Sequence, residues 1–172
     1  TYYIAWDNRW SSSGFDFSLS ETPINCPEGL PFTEDFENPN MFFACYNLED
    51  VDNNGTAYRH QLIDLDGDGT DNVYITNGST SNIAKDDWIY SPPINLTNGA
   101  EYTFSFKYNG ADGSYPANEN LEVLLLDAPS STAEVLTSLF YESGIVLNGN
   151  FSQAESMATT QEITYTATAT GT

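Results

Sequence analysis

The stretch of this chain best suited to chemistry is "DLDGDGTD", residues 64–71. Asp64, Asp66 and Asp68 alternate with Gly67 and Gly69, so several hard oxygen donors can curl around one point, which is the donor set Ca²⁺ takes. The run begins like an EF-hand loop and does not finish as one, because Ile75 stands at the twelfth position, where a bidentate Glu belongs. Asp71 can supply a further oxygen, as in shorter calcium loops of the DxDGDGxxD kind. A weaker copy, "DVDNNG", places Asp50, Asp52 and Asn54 in the same relation. Glu34, Asp35, Glu37, Asp86 and Asp87 form two further acidic clusters. Asp, Asn and Gly are also the preferred residues of metal-free turns, so the competing reading is acidic corners and nothing more. Ca²⁺ is the expected cofactor.

Charge points the same way. The 172 residues include 25 Asp and Glu but only 4 Lys and Arg, a formal net charge of -21. A surface this negative repels phosphate backbones and anionic lipid, which excludes nucleic acid as a partner, and crowded carboxylates are relieved by divalent cations. No apolar run approaches the roughly 20 residues of a membrane-spanning helix, so direct membrane insertion is not expected.

Catalytic constellations are thin. His60, the one histidine, sits beside Arg59 with no nucleophile elbow and no Cys/His pairing, and reads as an ordinary strand histidine. Zinc sites need several His or Cys ligands, and this chain has one His and two Cys. No phosphate-cradling glycine loop follows a strand. Enzyme activity is not expected. Among the aromatic residues, Trp10 lies between two strand-like segments and is the candidate ligand-contact residue, as in a sugar-stacking platform.

The elements that would hold these groups are strands. "EYTFSFKY" sets Tyr102, Phe104, Phe106 and Tyr108 on one side and Thr103, Ser105 and Lys107 on the other, a half-buried antiparallel strand. "LEVLLLD" reads as a more fully buried strand, and "QEITYTATATGT" as a long one with a threonine ladder on its solvated face. "PFTEDFE", "MFFACYNL", "AYRHQLI", "NVYIT" and "DWIYS" read as shorter strands between turn-rich stretches. "STAEVLTSLFY" fits neither period: Ala133, Leu136 and Phe140 have helical spacing, and a short helix or a strand would both serve. About ten short strands with no long amphipathic helix argue for an all-β sandwich or barrel. "ETPINCPEGLP" interrupts the pattern, so the chain divides into residues 1–22, a linker over 23–31, and a domain over 32–172. Cys26 and Cys45 are either bridged, in an oxidising compartment, or two separately buried thiols.

Taken in order, Phe32 to Glu37, Cys45 with Tyr46, Asp50 to Gly55, and Trp88 to Pro93 resemble the pattern of the cleaved-adhesin or choice-of-anchor jelly-roll domain of Bacteroidota cell-surface and secreted proteins. Gingipain adhesin modules belong to that family and MAM domains are similar to it. The resemblance covers residue 30 or so onward. Tyr46 stands where Trp is usual, and the "DLDGDGTD" insertion lies outside the shared pattern.

The resemblance implies a jelly-roll β-sandwich of two antiparallel sheets. It also implies secretion to the bacterial cell surface by type IX secretion, and a non-catalytic role in adhesion. One repeat of a tandem array or surface filament would fit. Neighbouring copies or domains of the same surface protein are then the expected partners, with glycan or host protein as further ones. "YYIAW" and "FDFSLSE" have the form of that family's two closing strands, so residues 1–22 are expected to complete this sandwich, or else to belong to a neighbouring or upstream domain. A carbohydrate-binding module of a secreted hydrolase and a passive spacer are the alternative readings.

Overall fold

The computed structural model describes residues 20, 23–27, 29–53, 60–64, 67, 69, 73–76, 86–110, 119–150 and 153–168. Within them the chain is mostly strand, in antiparallel pairs, with one short helix. The expectation of an all-β protein holds. The expected closing strands of residues 1–22 lie outside the described residues, save Ser20.

The strands are β1 (Asn47–Asp50), β2 (His60–Ile63), β3 (Val73–Thr76), β4 (Asp87–Tyr90), β5 (Glu101–Tyr108), β6 (Glu119–Leu126), β7 (Val135–Ile145) and β8 (Thr159–Thr166). They pair as β1 with β4, β2 with β3, β5 with β8, and β6 with β7. In the β5–β8 pair, Tyr102 lies opposite Tyr165, Phe104 opposite Ile163, and Phe106 opposite Gln161. Directly opposed side chains share a face in an antiparallel pair, so one face is mainly aromatic and aliphatic, with Gln161 and Thr159 at its end. The other carries Thr103, Ser105 and Lys107 opposite Thr164, Glu162 and Thr160.

The aromatic face of β5 meets the β6–β7 pair. Phe106 and Phe140 pack edge to face with ring centroids 5.4 Å apart, and Tyr108 lies 5.7 Å from Phe140. Such pairs add about 0.5–1.5 kcal/mol beyond the area they bury. The Tyr108 hydroxyl donates to Glu142 across the same contact. Aromatic contacts therefore join the β5–β8 pair to the β6–β7 pair in a seam.

Two of the strand readings change, and one open reading is settled. "MFFACYNL" is a helix followed by a strand: α1 (Pro39–Cys45), then β1. Asn38 caps the helix, its side chain accepting from the Met41 N–H at 3.1 Å, and Pro39 occupies the first turn, where its missing N–H costs nothing. Phe42 points inward, fully buried, with Tyr46 stacked 4.7 Å away and Phe36 edge-on at 5.5 Å. Seven residues are too few for a helix to persist alone, so this packing holds it.

"PFTEDFE" is not a strand. Residues 32–35 have no regular structure, and Phe36 adopts φ 62°. Its acidic side chains serve the backbone directly: Glu34 Oε1 accepts from the Phe36 N–H at 2.8 Å, and Asp35 Oδ1 from the Glu37 N–H at 3.1 Å. Local bonds of this kind compete with a sheet ladder, and here they replace it.

"STAEVLTSLFY" resolves as strand, and its register explains the mixed period. Val123 pairs with Phe140 but Leu124 with Ser138, and Leu125 pairs with Thr137 but Leu126 with Val135. Leu139 and Leu136 are thus extra residues on β7, two bulges three positions apart. Gly144, with φ +72°, is the extra residue of a third shift.

Candidate functional site

The sharpest acidic turn joins β2 to β3. Asp64 follows β2 and folds the turn around its own carboxylate: Oδ1 accepts from the Gly67 N–H at 2.7 Å and Oδ2 from the Gly69 N–H at 2.8 Å. Both glycines lie in the left-handed region, with φ +79° and +87°, where a side chain would be strained. Sequence order thus fixes a curl with Asp64 at its centre. Asp66, Asp68 and Asp71 lie outside the described residues. Among the described residues no group of three or more His, Cys, Asp or Glu is placed to hold a metal ion.

The second acidic turn follows β1. Asp50 lies directly opposite Asp87 in the β1–β4 register, and the Asp86 carbonyl accepts from the Val51 N–H at 3.0 Å. Like charges at directly opposed positions destabilise a strand pair. Asn53, with φ 48°, turns the chain immediately afterwards, and Asp52 is exposed. Asn54 and Trp10 lie outside the described residues. His60 opens β2 opposite Thr76, in keeping with a strand histidine.

Glu49, absent from every sequence-based candidate set, reaches across 82 residues to Ser131, the longest-range hydrogen bond among the described residues. It stands on β1 and gathers three hydrogen bonds. Tyr90 Oη donates to Oε2 at 2.7 Å, the Ser131 N–H to Oε2 at 2.9 Å, and Ser131 Oγ to Oε1 at 2.8 Å. These bonds tie the β1–β4 pair to the turn between β6 and β7. The Tyr90 hydrogen bond first, then the two from Ser131, hold the Glu49 carboxyl below its usual range. Burial chiefly, then the hydrogen bond to Glu49 and the nearby negative charges, push the Tyr90 phenol well above its ordinary value. Tyr46 is raised likewise, by burial and then by Glu34.

Asn109 is a second polar hub that the sequence did not mark. Its Oδ1 accepts from the Asn148 N–H at 2.8 Å, and its Nδ2 donates to the Ala154 carbonyl at 2.7 Å and the Asn148 carbonyl at 3.1 Å. One amide thereby joins the end of β5 to the segment after β7 and the turn before β8. An Asn-Gly pair at a strand end signals a turn, and nothing more specific.

Cys26 and Cys45 are bridged, with Cα atoms 5.3 Å apart, fastening the linker to the last residue of α1. Of the two possibilities the sequence left open, the structure has the disulfide.

The chain matches no protein-family model, no curated protein and no solved structure.

Proposed function

We propose that this chain is a non-catalytic module of a large secreted bacterial surface adhesin. In this reading it is a calcium-supported jelly-roll sandwich, working as one repeat of a tandem array or surface filament and adhering to host, surface or neighbouring molecules. The observation that carries the proposal is the aromatic seam, in which Phe106 and Tyr108 of the β5–β8 pair meet Phe140 of the β6–β7 pair. Opposed antiparallel sheets give a rigid scaffold whose loops are free for contact. The Cys26–Cys45 bridge supports an oxidising, extracytoplasmic setting.

Two features favour calcium. Asp64 already organises the glycine turn that would bring its neighbouring carboxylates together, and Asp50 opposite Asp87 concentrates negative charge that a divalent ion offsets. Melting with and without chelator tests this part: calcium should raise the midpoint, and an unchanged midpoint overturns it. The array is tested by intact mass and electron microscopy of native material. Repeating units of domain size are expected, and solitary particles of one-domain mass would overturn the filament reading.

A further inference from the structure

The outer face of the β6–β7 pair carries an arrangement independent of the acidic turns. Phe140 points into the aromatic seam, so Tyr141, the next residue, points away from it, and 60% of its surface is exposed. Glu122 is its direct cross-strand partner, also exposed, and accepts a 3.3 Å hydrogen bond from Ser138 Oγ on the same face. Further along, Leu126 lies opposite Val135, which is 51% exposed. The face thus offers an aromatic ring with a carboxylate beside it, then an aliphatic pair. Glu122 is the carboxylate that β6 and β7 place on this face, Glu142 turning to Tyr108 in the seam, and from 119 to 145 the chain carries no Lys, Arg or His.

The geometry points to this face as a docking surface for an extended polypeptide segment bearing an arginine and, four residues on, an aliphatic side chain. Charge complementarity selects the cation. Directly opposed side chains stand about 4.5–5.5 Å apart at Cβ, so a guanidinium can lie on the Tyr141 ring while its fork reaches the Glu122 carboxylate. Lysine, a compact strongly hydrated charge, cannot make the planar stack and the paired hydrogen bonds together. Spacing selects the rest. Glu122 and Leu126 share one face four residues apart, about 13 Å at about 3.3 Å per residue, and a paired segment must match that period.

The test uses the full chain and synthetic extended peptides, with binding followed by fluorescence anisotropy at low and at physiological salt. A peptide with Arg and Val four apart should bind saturably, about tenfold more tightly than its Lys counterpart. It should also bind more tightly than a peptide with Arg and Val three apart, which places them on opposite faces. Tyr141→Ser and Glu122→Gln should each lose about twofold to fivefold. Glu162→Gln, removing one exposed charge from the outer face of β8, should leave binding unchanged. Equal loss in Glu162→Gln and Glu122→Gln would overturn the proposal, since attraction would then come from net charge alone. So would equal affinity for the Arg and Lys peptides, or no saturable binding. Melting midpoints of the variants show that they fold. The outcome does not depend on the particle size or calcium response that decides the adhesin reading.

Discussion

Gly110→Ala is the substitution whose cost the structure states most directly. A Cβ built at Gly110 falls 2.4 Å from the Val146 carbonyl carbon, 2.6 Å from the Leu147 nitrogen and 2.8 Å from the Val146 oxygen. All three are backbone atoms, so no rotamer change relieves the overlap. To regain ordinary contact at 3.4 Å the segment around Val146 must withdraw by about 1 Å. That displacement carries the adjoining Asn148 away from Asn109, stretching bonds of 2.8 and 3.1 Å. Overpacking of this kind costs about 1–3 kcal/mol. Each weakened hydrogen bond adds about 1 kcal/mol. The expected destabilisation is therefore about 3–5 kcal/mol, or a melting midpoint lower by roughly 6–20 °C for a chain of this size. Chemical denaturation measures the first quantity and calorimetry the second. Gly29→Ala is the control: its Cβ would meet nothing within 4 Å and its φ is not positive, so it should be neutral or slightly stabilising. A Gly110→Ala variant within about 0.5 kcal/mol of wild type would refute the close approach of β5's end to the segment after β7.

Glu49→Gln should destabilise at neutral pH, and the difference from wild type should shrink with acid. The folded carboxyl is held below its ordinary value by its donors, so its contribution is present above that value and is lost as pH falls through the folded one. A difference constant from pH 7 to about pH 3 would exclude the clamp. Reducing the Cys26–Cys45 bridge, whose partners lie 19 residues apart, should cost about 3 kcal/mol, read as a lower denaturation midpoint under reductant. Asp64→Ala removes the acceptor for both the Gly67 and Gly69 N–H groups and should cost about 1 kcal/mol even without calcium, since water replaces the lost bonds. If chelated Asp64→Ala melts with chelated wild type, Asp64 does not organise that turn.

What could be read from the sequence follows the range of the forces involved. β5 and β8 were legible because one period-two pattern runs unbroken through each, and alternation directly reports which side of a pleat is buried. β7 was not, because the bulges at Leu136 and Leu139 each flip the alternation, and two flips three residues apart imitate a helical spacing. The helix of "MFFACYNL" was legible in principle from Asn38-Pro39, but a burst of aromatic residues outweighed the cap. Phe42 was buried by packing rather than by strand pairing. Of the candidate site, the glycine turn around Asp64 could be anticipated because every contact in it is local. Glu49 could not: its donors lie 41 and 82 residues away, and one acidic residue among 25 has no local mark that separates a clamp from a solvated charge. In a chain this acidic, the carboxylates that matter are those given donors by the fold. By that criterion Glu49, with donors from two distant segments, stands apart from Asp64, Glu34 and Asp35, whose donors come from their own turns.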